Sequence, residues 1–252
     1  MQRIICWFSC GIASAVATKM ILDEQHEDKE IVIAYTDTGA EHEDNKRFLR
    51  ECEQWYKHQI ITLKSEKYDD IWEVFEKTKF LVSAFGARCT MEMKKAVRTK
   101  FQREDDIHIF GFDSTEEHRF NRMKKESPEL LMRAPLIEQG ISKTQCFDIF
   151  NPTGIKRPVM YQLGFNNNNC IGCVKGGIGY WNHIRKHFPD VFERMSKVER
   201  EIGHTICRVG EHRIYLDELP EEKGRHKAMY EEDLFSHAMS CGFICDGGNN
   251  EQ

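Results

Sequence analysis

Apolar residues recur with two different spacings along the first half of the chain, and the alternation between them predicts alternating strands and helices. Residues 3–8 form a short apolar run ending in small residues, the pattern of a parallel strand buried on both faces. Residues 14–23 follow as a helix with Val16 and Met20 on one face. A second buried strand is expected over 31–35, ended by Thr36-Asp37-Thr38-Gly39. A helix is expected over 43–57, where Phe48, Cys52 and Trp55 recur every three or four residues. Further strands are predicted at 60–63 and 107–112, with Gly111 near the end of the latter, and helices at 70–75 and 90–101. Strands separated by helices imply an α/β fold, a parallel sheet with crossover helices on its faces.

The pattern changes after Pro135. A short helix is expected over 143–150, with Ser142 as its N-cap. A turn-rich stretch follows, with Pro152, Gly154, Pro158 and Gly164, and then Asn166 to Asn169 lead into Cys170-Ile171-Gly172-Cys173. Helices are expected over 180–188 and 191–202, separated by Pro189, and the tail beyond Cys207 is polar and carries Cys241 and Cys245. These shifts predict an α/β domain over 1–165 and a smaller helical, cysteine-containing extension over 166–252.

Composition narrows the class. With 40% hydrophobic residues the chain can bury a sizeable core, and no stretch approaches the roughly 18 apolar residues of a membrane span. Met1-Gln2-Arg3-Ile4-Ile5 passes straight into the first strand with no small-residue cleavage site after it, so a cytoplasmic protein without membrane partners is expected. A net charge of −5 argues against a surface that is nucleic-acid platform throughout. It leaves two local basic runs, one of Lys94, Lys95, Arg98, Lys100 and Arg103 and one of Arg185, Lys186 and His187, which read first as solvated helix faces. Ten cysteines in a chain expected to be cytoplasmic point to metal or redox chemistry for the clustered ones, whereas Cys6 and Cys52 sit among apolar neighbours as core residues.

The first strand, the small-residue loop Ser9-Cys10-Gly11-Ile12-Ala13-Ser14 and the following helix form a candidate anion site, because loop amides and the helix dipole favour negative charge there. A tight strand-to-helix turn that binds nothing is the plain alternative. No Gly-Lys-Ser/Thr ends the loop and Gly11 stands alone, so it is neither a Walker A loop nor a dinucleotide fingerprint. It resembles the PP-loop of the nucleotide α-hydrolases, Ser-Gly-Gly-x-Asp-Ser. Ser9, Gly11 and Ser14 fit, while Cys10 and Ala13 replace the first Gly and the Asp. Loss of that Asp weakens the case for magnesium-assisted ATP cleavage, for which Asp37 is a substitute carboxylate.

Four further motifs in order resemble the phosphoadenosine phosphosulfate (PAPS) reductase family. They are Asp37-Thr38-Gly39-Ala40-Glu41, Arg88-Cys89-Thr90-Met91-Glu92-Met93-Lys94, Ala134-Pro135-Leu136-Ile137 with Lys143 and Asp148 after it, and Cys170-Ile171-Gly172-Cys173. The resemblance implies a Rossmann-like sheet and an adenine nucleotide, ATP or PAPS, held by Ser9, Gly11 and Ser14. Asp37, Gly39 and Glu41 would line the nucleotide or a magnesium ion, with Gly111, Glu116 and Arg119 nearby. The family's Gly-x-Arg-x-x-Glu becomes Gly111-Phe112-Asp113-Ser114-Thr115-Glu116, with a carboxylate where the anion-holding Arg would stand, and Arg119 or Arg122 is the expected compensation.

The resemblance also implies that Cys89, Cys170 and Cys173 hold a 4Fe-4S cluster, with Lys94 and Lys175 offsetting its charge and Cys245 or Cys241 as a further ligand or redox pair. Zinc would accept the same ligands, and a metal-free thiol pair is the third reading. His183 and His187, four apart on a helix, could also suit a metal, though the cations beside them favour a solvated or anion-binding face. The implied activity is ATP-dependent sulfur transfer, with a nucleic-acid base or a thiol protein as acceptor or donor. The alternatives are sulfonucleotide reduction with Cys241 as nucleophile and, from another class, a non-catalytic nucleotide sensor or complex subunit. Cys241, Asp37 and Lys94 are the candidate catalytic residues.

Overall fold

A computed structural model describes residues 1–26, 28–224 and 226. The elements begin β1 (Gln2–Phe8), α1 (Ile12–Asp23), β2 (Lys29–Asp37), α2 (Asn45–Tyr56), β3 (Ile60–Lys64) and α3 (Ile71–Thr78). A tight hairpin follows, β4 (Val82–Ser83) and β5 (Gly86–Ala87), then a wide π-helical stretch (Thr90–Lys95) that continues into α4 (Ala96–Phe101). Next come β6 (Ile107–Phe110), α5 (Glu117–Glu126), β7 (Leu131–Arg133), α6 (Pro135–Glu138) and α7 (Lys143–Phe150). The last elements are α8 (Val159–Gln162), α9 (Ile178–His187), α10 (Pro189–Ile202) and a second hairpin, β8 (Cys207–Val209) with β9 (His212–Ile214).

The chain forms two compact units that interleave in sequence. The first comprises Met1–Asp37, Glu43–Lys64 and Val97–Pro158; the second takes Thr38–His42, Ser65–Ala96 and the chain from Val159 onward. The expected division at 165/166 thus differs from the observed one, because two segments of the first half leave the sheet and build the second unit.

The first unit is a five-stranded parallel sheet in the order β3-β2-β1-β6-β7. Strand order reverses at β1, whose neighbours are β2 and β6, and the crevice beyond the carboxyl ends of such a pair is where open α/β sheets take ligands. Ile4, Ile5, Cys6 and Phe8 of β1 are buried, as a strand covered on both faces requires. Burial pushes the Cys6 thiol above its ordinary range and the Cys52 thiol up to about 12, so both are inert core residues, as expected. Arg3 and Asp106 form a buried ion pair at 2.7 Å, and a second Arg3 nitrogen lies 2.9 Å from the same carboxylate, clamping the starts of β1 and β6. The fifth strand, β7, was not expected; it is three residues long and Leu131 is exposed, too little pattern to register.

Two sequence expectations change here. The 90–101 helix is continuous, but its first turns are wound wide. The basic run along it is not one solvated face, because Arg98 lies 5.9 Å from the Trp7 ring and 5.4 Å from the Phe110 ring, and burial lowers its pKa.

The second unit packs around Trp181, Val74, Phe75, Met160, Ile184 and Met195. Glu199, buried on α10, accepts hydrogen bonds from the Ile206 and Leu216 amides and so ties the chain after α10 to that helix. The second basic run is structural too: Arg185 donates to the Leu216 and Leu219 carbonyls at 3.1 and 2.7 Å and covers Phe192 at 4.3 Å. His183 and His187 belong to an aromatic cluster with Phe165 and His226. His183 Nε2 bonds the Leu163 carbonyl at 2.7 Å, and burial lowers the pKa of all three histidines. Among the described residues no helix is long and apolar enough to cross a membrane.

Candidate functional site

The β1–α1 loop is held in place by its own side chains. Ser14 Oγ donates to the Gly11 carbonyl at 2.8 Å and accepts from the Ser9 amide and hydroxyl at 3.1 and 3.0 Å. Ser14, expected to reach the phosphates, is buried here and braces the loop. Ser9 is exposed at the mouth, and Gly11 is the extended residue that starts α1, with no acidic side chain in the first helical turn. The amides of this turn and the helix dipole are the elements here that favour negative charge. Cys10, which replaces the first glycine of the PP-loop pattern, adopts φ 57°, a conformation that favours glycine, and is fully buried. The backbone there is one that a glycine, the residue of the pattern, adopts more readily than a cysteine.

Gly111 follows β6, and a Cβ there would lie 2.5 Å from the Ser14 Cα. Its part is to let the chain after β6 pass against the loop. The residues after it bond to one another. Asp113 accepts from the Thr115 amide and hydroxyl at 2.8 and 2.6 Å and makes a capping box with Glu116, while Arg119 donates to Glu116 and lies 5.4 Å from the Phe112 ring. The carboxylate in place of the expected arginine is therefore a helix cap, and Arg119 is paired with Glu116. Burial raises the Glu116 pKa and pushes that of Lys143, in the same group of charges, down to about 8.

Asp37 ends β2 and pairs with Lys64 at 3.0 Å. The chain then enters the second unit, where the rest of the motif folds into a turn. Gly39, at φ +66°, leaves no room for a Cβ, which would meet the Asp69 carbonyl at 2.6 Å. Glu41 turns back so that its Oε2 accepts from the Thr38 amide at 3.1 Å. Its Oε1 lies 3.5 Å from Cys170 Sγ, which is also 3.1 Å from Thr38 Oγ1.

Cys170 opens the Cys-x-x-Cys loop, which is fastened from two sides. The Ile171 amide donates to the Ala40 carbonyl at 2.7 Å. Tyr180 Oη accepts from the Gly172 and Cys173 amides at 3.0 and 2.9 Å and donates to the Cys170 carbonyl at 3.0 Å. One phenol on α9 thereby satisfies three backbone groups of the loop.

This loop forms one wall of a pocket lying wholly within the second unit, with about 340 Å³ of space including its open mouth. Cys89, Cys170 and Cys173 all line it, together with Lys94, Lys175, Thr38 and Thr90. Cys89 caps the wide π-helical stretch that carries Thr90 and Lys94; such wide turns recur at functional sites. The structure thus brings together the three cysteines and both lysines that the sequence grouped. Thr38 and Tyr180 went unnoticed: Thr38 stood inside a quoted motif, whereas Tyr180 reads as ordinary helical core. Cys241 and Cys245 lie outside the described residues.

Three thiols with two lysines are a donor set for a soft, anionic metal group. As the side chains stand, no group of three His, Cys, Asp or Glu among the described residues is disposed to hold a metal ion. None of the eight described cysteines is in a disulfide.

Residues 3–175 match the sequence model of the phosphoadenosine phosphosulfate reductase domain. An uncharacterized protein of Methanocaldococcus jannaschii is 28% identical over 218 residues, covering 79% of this chain and 42% of the relative, so the chain spans less than half of that protein's length. The crystal structure of phosphoadenylyl-sulfate (PAPS) reductase from Candida auris, a phosphate complex, shares the fold. It covers 68% of this chain and 82% of its own at a TM-score of 0.50 and 12% identity.

Proposed function

Because the chain belongs to the phosphoadenosine phosphosulfate reductase domain family, we propose that it is an ATP-dependent sulfur-transfer enzyme whose acceptor is a nucleic-acid base. The observation that carries this reading is the pocket shared by Cys89, Cys170, Cys173, Lys94 and Lys175.

In the first unit, the amides from Gly11 onward and the α1 N-terminus hold the phosphates, with Ser9 at the mouth and Ser14 keeping the loop in shape. Asp37 takes the magnesium role of the missing PP-loop aspartate. In the second unit, Cys89, Cys170 and Cys173 would hold a 4Fe-4S cluster, which when bound supplies a soft, redox-active centre able to carry sulfur. A cluster takes each thiol on a different iron, whereas one zinc ion would gather them into a single tetrahedron; the family resemblance favours the cluster. Lys94 and Lys175 offset the negative charge of the thiolates. Thr38 Oγ1, 3.1 Å from Cys170 Sγ, would donate to the thiolate, and Glu41 is positioned to receive the proton that Cys170 loses. Adenylation of a carbonyl oxygen on the acceptor by ATP releases pyrophosphate and makes that oxygen a good leaving group; sulfide supplied as co-substrate then forms the C–S bond as the oxygen departs with AMP.

Anaerobically purified protein tests the reading through its products. Pyrophosphate and AMP released from ATP in an acceptor-dependent manner are expected. Sulfite release from PAPS with a thiol donor would instead make it a reductase, and binding of ATP without turnover would make it a sensor.

A further inference from the structure

We propose that the β4–β5 hairpin is a docking surface for single-stranded nucleic acid, with Phe85 as the platform on which a base stacks. The proposal deepens the reading above and rests on it in taking the acceptor to be a nucleic-acid base. Phe85 at the hairpin tip is 92% exposed, the most exposed large apolar side chain among the described residues. It is not alone. Phe80 (39%) and Met91 (46%) flank it, so three such side chains fall within twelve residues.

The tip is built rather than frayed. The Arg88 amide donates to the Leu81 carbonyl at 3.0 Å, the Phe85 amide donates to Ser83 Oγ at 3.1 Å, and Leu81, Val82 and Ala87 are buried beneath. A buried base with an aromatic held out into water gives folding nothing in return for the exposure. It suits a partner with a flat π-face, and base–aromatic stacking needs no particular sequence.

Charge selects the partner. Between residues 73 and 95 the chain places Lys77, Lys79, Arg88, Lys94 and Lys95 against Glu73, Glu76 and Glu92, in a protein whose net charge is −5. Lys77 pairs with Glu73 at 2.5 Å and Arg88 with Glu92 at 2.7 Å, so Lys79, Lys94 and Lys95 carry the excess. A local excess of cations on an acidic chain draws a polyanion and repels a second copy of the same face. The hairpin is also contiguous with the lining of the cysteine pocket. Ala87 at its base lines that pocket, and so do Cys89, Thr90 and Lys94, which follow directly. A strand stacked on Phe85 is thereby held beside the thiols that would act on one of its bases.

Fluorescence anisotropy tests this with the full chain as isolated anaerobically, using a fluorescein-labelled oligouridine of about 12 nucleotides, near the upper range of single-strand site sizes. Wild type is expected to bind the single strand more tightly than a duplex of equal length. Phe85→Ala should weaken it by about 5- to 100-fold, with Phe85→Tyr restoring it. Lys79→Glu should weaken binding at low salt and lower the slope of log affinity against log salt by about 0.7 or more. Equal affinity in wild type and Phe85→Ala, or equal affinity for strand and duplex, overturns the proposal. So does loss in Phe85→Ala of binding to anionic phosphatidylserine vesicles or of a concentration-dependent dimer, with strand binding intact. Binding is read without turnover, so a chain that cleaves ATP but fails here keeps its proposed reaction and loses this surface. A chain that binds the strand through Phe85 but neither cleaves ATP nor carries iron does the reverse.

Discussion

The two units bury ionisable groups with opposite consequences. In the first, His108 is fully buried on β6 and takes a hydrogen bond at Nδ1 from the Trp7 indole at 3.0 Å. Burial and the nearby Arg98 cation push its pKa down to about 4, so this site resists gaining a proton. In the second, Glu199 is fully buried on α10, and burial pushes its pKa up to about 7 in spite of the two amides that donate to it. That site resists losing a proton. The functional loops contrast in the same way. The β1–α1 loop is fixed by its own serines, whereas the Cys-x-x-Cys loop depends on a tyrosine from α9. The β1–α1 loop makes its own hydrogen-bonded braces and needs from afar only room at Gly111, whereas the cysteine loop borrows its braces from α9, a helix outside it.

The largest expected effect strikes the self-braced loop. In Gly111→Val, the added carbon meets Ser14 backbone rather than a yielding side chain, so the β1–α1 loop must move. About 3 kcal/mol of stability should be lost, with nucleotide affinity, as measured by thermal unfolding and calorimetric titration of ATP. A stable variant with unchanged affinity would show the close approach to be immaterial. Next is Tyr180→Phe, which withdraws one phenol from three backbone groups and should cost about 2 kcal/mol. Amide exchange at Gly172 and Cys173 should accelerate while exchange in the β1–α1 loop stays unchanged. Equal acceleration in both would erase the contrast.

The opposite proton preferences give opposite pH windows. His108 contributes fully above pH 6.5, where both folded and unfolded chains are neutral. As pH falls toward 4 the unfolded chain takes up a proton that the folded one refuses, and the contribution is lost. Glu199 contributes fully below pH 4.5. As pH rises toward 7 the unfolded chain releases a proton that the folded one retains, and its contribution is lost. Each swing should approach about 2 kcal/mol. Hydrogen exchange followed from pH 4 to 8, corrected for intrinsic rates, should show β6 losing protection on acidification and α10 on alkalinisation. His108→Phe should flatten the first slope and Glu199→Gln the second. The smallest effect is expected from Cys10→Gly, where relief of the left-handed backbone and loss of the buried thiol nearly offset, leaving stability within about 1 kcal/mol and ATP affinity unchanged.

Wherever periodicity ran for two turns or a full strand, the fold was legible: β1, α1 and α2 fall where the apolar spacing puts them. The Ser142 cap appears with Gln145 closing its box. The cysteine grouping was legible from motifs, and the pocket reunites residues 81 positions apart in sequence, Cys89 and Cys170. Direction was not legible. Nothing in the order of residues says that the Ser14 hydroxyl faces inward, that Arg98 is packed against Trp7 and Phe110, or that Arg119 is taken by Glu116. Interleaving was not legible either, because a segment that leaves one unit for another keeps the same local propensity. Tyr180 shows the limit most plainly. Its helical position predicts burial, and only the fold reveals which three backbone groups its oxygen serves.

The central claim, that Cys89, Cys170 and Cys173 are the seat of the sulfur chemistry, is tested most directly by metal and sulfide analysis of the anaerobically purified protein. The account predicts a brown protein with about four iron and four acid-labile sulfide per chain, lost in Cys89→Ala and Cys173→Ala variants that remain folded. A colourless protein carrying about one zinc per chain, or iron that survives both substitutions, would contradict it.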